Sequence, residues 1–446
     1  MQKSINYNKY SYKELEKFFQ KHKSVKDIKK FYKKFISNYI KLNKKYNFNE
    51  QLNQKYIYKQ IDQIFSKKKI HKKKLNFIPI GIKDNINTEY LDTKFGIKVR
   101  KKFKSGNDAR IVSQLSDQGA IIFSKLSCAE FAVHYIEKKR GKNPLNKSHI
   151  AGTSSTGPAI SVSVGALPVA IGTQTAGSIL RPSSYCGIIG FKPTYGAIDR
   201  IGVLKTNDLS DTVGIISRDF YGIKKVFNSI VKIGKDYPWT INYKKNYQRY
   251  ENKKYIKIGF FDESLKVYNN FDEETKIEYM KTILKLKKKG MTLSKIRNQW
   301  IFDNFHQNFY TSYHNSLYYY LKNINPKFSG LSKILKKIIL QGKKISKKKK
   351  IFSIKTIRNV KKKFDKVFDE YDFLIIPTTA SFAPKLNKIE KDDTCLIWTT
   401  LGYPSINIPI YNSKKVSLPY GLQIISKKYC DFLLLDFSQK IFNILK

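Results

Sequence analysis

The sequence predicts an α/β protein, a mixed β-sheet held between helical layers. Short apolar runs alternate with stretches of helical spacing, the pattern of a sheet covered on both faces. In a chain of 446 residues with 86 lysines and arginines, the segment from Ile150 to Tyr195 carries only Arg181 and Lys192, so it reads as buried. Hydrophobic residues make up 41% of the chain, enough to fill a sizeable core.

The elements follow in order. Residues 12–66 show helical spacing with lysine-rich outer faces. Phe77–Ile82 is a short apolar run, a strand that delivers Lys83 at its end. Asp108–Gln118 reads as a helix stopped by Gly119, and Ala120–Leu126 as the next strand. Ala159–Gly172 is apolar, but it falls short of the roughly 18 residues of a membrane span and contains Gly165 and Pro168. It reads as a buried helix feeding a buried strand at Leu167–Gly172. Residues 220–360 are helical, aromatic and lysine-rich, with one strand-like run at Ile256–Phe261. The remaining strands are Phe373–Ile376, Ser405–Pro409 and Leu422–Ile425. No Gly/Ser-rich or Pro-rich linker divides the chain. Residues 1–66 form a helical N-terminal part and 67–446 the main domain, read as a single domain overall.

The formal net charge is +52. Lysine binds phosphate by releasing counterions, so one reading is a nucleic-acid partner. The other is drift toward A/T-rich codons, which lays lysine on solvated faces. The lysines run along the whole chain and arginine, the better base reader, is scarce, which favours drift. Cys128, Cys186, Cys395 and Cys430 form no CxxC pair and read as buried apolar residues in a reducing cytoplasm. The opening MQKSINYNKYSYKELEKFF is basic and lacks an apolar run, so no signal peptide is expected.

The chemistry lies in two Gly/Ser clusters, Gly152-Thr153-Ser154-Ser155-Thr156-Gly157 and Thr173-Gln174-Thr175-Ala176-Gly177-Ser178. Such clusters let a backbone turn sharply and present N–H groups to a developing oxyanion. Upstream is Gly81-Ile82-Lys83-Asp84-Asn85. A serine hydroxyl needs a base within reach, and lysine with two serines is a solution that dispenses with histidine. The six histidines sit in no triad motif, and His134 and His149, nearest the clusters, read as local polar contacts. A free lysine is neutral only about 0.04% of the time at pH 7, so Lys83 must be buried to serve as a base. By itself Lys83 would read as a snorkelling strand-end lysine, and Ser154, or its neighbour Ser155, as a helix N-cap.

These residues resemble the amidase signature family, whose pattern is close to GGSSGGS, an apolar stretch, DTGGSIR-P and CG--G-KPTYG. Here GTSSTGP, TQTAGSILRP and CGIIGFKPTYG stand in those places, and Ser154 and Ser178 keep the family separation of 24. GIKDNI, GAIIFSKLSCAEFA, YDFLIIPTTA, LGYPSINIPI and LPYGLQIISKKYCD match as well. The resemblance spans about residues 60–440. It implies the amidase-signature fold and a Ser-Ser-Lys triad, with Ser178 the nucleophile, Ser154 the bridge and Lys83 the base. It also implies a cis Thr153–Ser154 bond and an oxyanion hole from the N–H groups of Thr175, Ala176, Gly177 and Ser178. By the same resemblance Asp392 and Lys337 hold the amino-acid end of the substrate, with lysine in place of the usual arginine.

Within the family, KPTYGAIDRIGVL and the C-terminal segments most resemble the A subunits of glutamyl-tRNA(Gln) amidotransferases. That implies glutamine as substrate, partner subunits B and C, and tRNA met mainly through the partner. ATP and Mg²⁺ would then act in the partner, since this chain has no GxxxxGK[ST] loop and needs no cofactor or metal of its own. A cytoplasmic protein without a membrane anchor follows. Two alternatives stay open: a stand-alone small-molecule amidase, and a catalytically lapsed basic protein that binds tRNA or acts as a scaffold. The departures bear on the last one. Gln174 replaces the usual aspartate, Ala176, Thr153 and Thr156 replace glycines, Pro158 a serine, and Leu180 an arginine that Arg181 follows.

Overall fold

The computed structural model describes residues 11–66, 73–97, 105–133, 141–231 and 256–446, apart from positions 153, 298, 326, 328, 387, 389 and 415. Eleven strands form one mixed sheet: β1 Asn49–Leu52, β2 Pro79–Lys83, β3 Ile121–Leu126, β4 Val169–Gln174, β5 Ile189–Lys192, β6 Thr212–Ser217, β7 Lys257–Phe260, β8 Thr292–Lys295, β9 Phe373–Pro377, β10 Ser405–Asn412 and β11 Pro419–Ser426. Their order is β1-β3-β2-β4-β6-β5-β10-β11-β9-β7-β8. Strand β2 runs parallel to both β3 and β4, whereas β5, β6, β10 and β11 pair only antiparallel.

Strands β2, β3, β4 and β6 are buried along their whole length, as a sheet covered on both faces requires. The N-terminal helix Val25–Tyr46 lies against β3, where Phe35 and Tyr39 meet the ring of Phe123 edge-on at 5.2 and 4.8 Å. The helix Thr156–Ser163 is buried at every residue and leads into β4. The predicted buried helix and strand of Ala159–Gly172 are therefore both present.

The helical stretch beyond residue 220 contains the helices Phe220–Ile230, Glu273–Lys288, Phe305–Ile324, Lys333–Lys343 and Lys347–Asp365. No described helix is long and apolar enough to cross a membrane. None of the four cysteines forms a disulfide, and all are buried.

Two glycines of the site region have steric reasons. Gly152 has φ +99°, and a Cβ there would lie 2.5 Å from Pro182 Cβ. A Cβ on Gly157 would meet Phe48 O and Ser127 O, each at 2.6 Å, so the backbones touch where a side chain would stand.

Candidate active site

Strand β2 ends in the interior of the sheet, between β3 and β4. Its last residue, Lys83, is therefore fully buried. Lys83 Nζ stands 2.7 Å from Ser154 Oγ, 2.9 Å from Thr173 Oγ1 and 3.3 Å from Thr173 O. These contacts occupy an ammonium's three directions, so the snorkelling alternative does not hold: the amine points inward. Burial pushes the amine down to about 7, against the opposing influence of Cys128 and Asp211. Near neutral pH a substantial share of Lys83 is thus the free base.

Ser154 is fully buried just before the helix Thr156–Ser163. Ser155 occupies the N-cap position but makes no capping bond, and its hydroxyl donates to Thr173 O at 3.2 Å. The expected N-cap is thus corrected to a link between the two clusters. The cis bond expected at Thr153–Ser154 involves Thr153, which lies outside the described residues, as does His134.

Ser178 follows β4, on the loop that enters the helix Leu180–Tyr185, and retains 8% exposure. The N–H groups of Thr175, Ala176, Gly177 and Ser178 donate to no described backbone or side-chain acceptor. A run of buried or half-buried N–H groups with nothing to donate to is unusual, and is what an oxyanion needs. Among the described residues, no hydrogen bond joins Ser178 Oγ to Ser154 Oγ. Of the two contacts that the resemblance implies, Lys83–Ser154 is made here and Ser154–Ser178 is not.

Polar partners fix the loop on both sides. The buried Asp211 accepts from Thr175 Oγ1 at 2.6 Å, from Thr206 N at 2.6 Å and from Asn207 N at 2.9 Å. Asn85 Nδ2 donates to Thr173 Oγ1 at 2.9 Å. Arg181 is buried, with its Nε 2.8 Å from Asp393 Oδ2 and Nη2 3.1 Å from Asp393 Oδ1, a bidentate grip.

The departures at Ala176, Thr156 and Pro158 cost little backbone strain. Neither Ala176 nor Thr156 has a positive φ. Pro158 sits in the first turn of its helix, where no N–H is needed.

Of the two weaker assignments, neither is hydrogen-bonded to Lys83, Ser154 or Ser178 among the described residues. Asp392 is exposed and accepts from Tyr310 Oη at 3.2 Å. Lys337 is exposed on the helix Lys333–Lys343 and forms no ion pair with Asp392. His149 is buried, with Nδ1 3.1 Å from the neighbouring Ser148 Oγ, a local contact as expected. Sequence reasoning missed Asp211, Asp393, Thr173 and Thr399. Thr173 lay in the second cluster without a role assigned to it, and of the doublet Asp392-Asp393 the second member is the one that grips Arg181.

The family model described as Amidase matches residues 31–435. The A subunit of glutamyl-tRNA(Gln) amidotransferase from Halothermothrix orenii is 28% identical over 395 residues, 79% of this chain and 81% of that protein. Its counterpart of the same name from Lysinibacillus sphaericus is 40% identical over 146 residues, covering 32% of this chain and 30% of its own. Among solved structures, the A subunit of glutamyl-tRNA(Gln) amidotransferase from Thermotoga maritima superposes with a TM-score of 0.75 at 21% identity, covering 97% of this chain and 94% of that one. Native peptide amidase from Stenotrophomonas maltophilia superposes with a TM-score of 0.81 at 20% identity, covering 99% and 98%.

Proposed function

The chain belongs to the amidase family, and we propose from that premise that it is the glutamine-hydrolysing subunit of a tRNA-dependent amidotransferase. The observation that supports this most is the buried Lys83 amine, 2.7 Å from Ser154 Oγ and held near neutrality by burial. The relatives named as A subunits, matched over about four-fifths of the chain, supply the substrate class.

In this mechanism Ser178 Oγ attacks the γ-carbonyl carbon of glutamine. Its proton passes to Ser154 Oγ, and the Ser154 proton to Lys83 Nζ. The N–H groups of Thr175 to Ser178 receive the oxyanion. When the tetrahedral intermediate collapses, the C–N bond breaks and Lys83 returns its proton through Ser154 to the leaving nitrogen, releasing ammonia. Water then attacks the γ-glutamyl ester by the same relay, giving glutamate and free Ser178. Substrate binding closes the Ser154–Ser178 step, since catalytic hydrogen bonds are often long before substrate is bound.

Ammonia passes to the B member of partner subunits B and C. That partner uses ATP and Mg²⁺ to convert Glu-tRNA(Gln) to Gln-tRNA(Gln), and the C member completes the complex. Asp392 and Lys337 remain the proposed contacts for the amino-acid end of glutamine. A cytoplasmic setting follows from the tRNA substrate. The test is a glutaminase assay with and without the partner subunits. Glutamate release that rises when the partners are added supports the reading; another amide turned over by the chain alone overturns it.

A further inference from the structure

Position 174 is a glutamine where the family pattern carries an aspartate, and the relay above makes no use of it. The side chain is fully buried at the end of β4. Its Oε1 accepts from Ile179 N at 2.7 Å and Leu180 N at 3.0 Å. Its Nε2 donates to Thr399 Oγ1 at 2.7 Å. Thr399 belongs to the helix Cys395–Leu401, and its oxygen lies 2.7 Å from both Ala176 O and Cys395 O.

A hydroxyl has one hydrogen to give. Since Thr399 accepts from Gln174, that hydrogen is left for the two carbonyls. Cys395 O is in the first turn of a helix, where the backbone ladder supplies a donor. Ala176 O has no other donor among the described residues. The Thr399 hydrogen is therefore worth more on Ala176 O. In a trans peptide the C=O and the following N–H point in opposite directions. Holding Ala176 O toward the helix turns Gly177 N–H away from it.

We propose that Gln174 and Thr399 are positioning residues that aim the Gly177 N–H at the oxyanion formed on Ser178. The proposal rests on the reading of Ser178 as nucleophile. The amide is the part an aspartate or glutamate could not replace here, because a carboxylate only accepts. It would draw the Thr399 hydrogen to itself and leave Ala176 O without a donor. One buried amide thus anchors the helix entry through its oxygen and sets the direction of a hydroxyl through its nitrogen.

The experiment measures the rate at which a fluorophosphonate labels the full-length chain, with the adduct located by peptide mass spectrometry. In that reaction Ser178 Oγ bonds to phosphorus, the P–F bond breaks, fluoride leaves, and the serine proton goes to Lys83 through Ser154. The phosphonyl oxygen calls on the same N–H donors as the tetrahedral intermediate. One oxyanion donor is typically worth about 10²–10³ in rate, so Thr399→Val should slow labelling at least about tenfold. Thr399→Ser keeps the hydroxyl and should stay within about threefold of wild type. Gln174→Glu should slow labelling like Thr399→Val, and the double variant should be no slower than about threefold beyond either, since both act on one peptide.

Labelling of Thr399→Val at the wild-type rate, or failure of Thr399→Ser to rescue, overturns the proposal while leaving the nucleophile intact. A wild-type chain that labels elsewhere, or not at all, overturns the nucleophile itself. Should Thr399→Val fail to fold by circular dichroism, Gln174→Glu carries the same test, because it keeps the volume and the acceptor for Ile179 and Leu180.

Discussion

Lys83 Nζ and Ser154 Oγ lie 2.7 Å apart in a place where neither side chain reaches solvent. A lysine held there as a spectator would be a standing cost to the fold. The depressed affinity of Lys83 for its proton makes that cost measurable by pH.

Stability should rise with pH above neutrality. Lys83 has a folded value of about 7 against an ordinary 10.5. Between those values the unfolded chain holds the proton and the folded chain does not, so unfolding takes up protons and stability climbs with pH. Below about 7 the cost is fully present; at ~1.4 kcal/mol per pH unit it amounts to roughly 5 kcal/mol over the window. Lys192, buried near Asp431, is likewise pushed down to about 7 and contributes in the same direction. Thermal melting should therefore shift upward from pH 7 to pH 9. Lys83→Met should reduce that slope and melt above wild type at pH 7 while losing activity. A wild-type midpoint that falls over this range contradicts the buried lysines.

Lys83→Arg should be nearly inactive. Arginine keeps the charge but cannot deprotonate at working pH. The wild-type pH–rate profile should rise through about 7, the value to which burial brings this amine. An active arginine variant would assign the proton to another base.

Ser178→Ala should abolish ammonia release with little effect on the fold, since the serine makes no hydrogen bond to Ser154 here and retains 8% exposure. Retention of more than about a tenth of the wild-type glutaminase rate would rule Ser178 out, because an essential nucleophile normally supplies several orders of magnitude.

Asp393→Ala should destabilise the chain. Its carboxylate grips Arg181 at 2.8 and 3.1 Å in a buried setting. Removing it takes away the bidentate partner but leaves Glu390, 3.8 Å from Arg181 Nη1, to offset part of the buried charge, so the loss should fall below the about 3–5 kcal/mol of a fully broken buried pair. Urea denaturation reads this directly, and a loss below about 1 kcal/mol would place the pair in effective contact with water.

The isolated chain should bind tRNA weakly and without preference. The +52 charge is spread along the sequence, and non-specific binding at physiological salt is typically 10⁻⁴–10⁻⁶ M. A competition titration of tRNA(Gln) against unrelated tRNA decides it; a preference above about a hundredfold, roughly 2.7 kcal/mol, would assign recognition to this chain.

Much of this was legible in the sequence, for physical reasons. The apolar run at Phe77–Ile82 announced the strand that ends in Lys83, and β3, β4, β7, β9, β10 and β11 were each marked by such runs. The strands β1 and β8 were not. Asn-Glu-Gln-Leu is only half-buried, and Thr-Leu-Ser-Lys buries a single residue at the sheet edge, so neither carries an apolar signal. Strands β5 and β6 were not marked either, and neither length nor glycine explains it, since β7 is as short as β5 and carries Gly259. In the site, Lys83, Ser154 and Ser178 were legible because their clusters are local in sequence. Asp393 and Thr399 were not: they reach Arg181 and Ala176 from 212 and 223 positions away, and only the folded sheet brings them there.

Whether Ser178 carries the acyl group is tested most directly by an acid quench during glutamine turnover in the assembled complex, followed by peptide mass spectrometry. The expected result is a γ-glutamyl ester on the peptide containing Ser178. It should be absent from Ser178→Ala and accumulate less as pH falls below about 7, where Lys83 holds its proton. An ester on any other residue, or full turnover with no covalent species on Ser178, would contradict it.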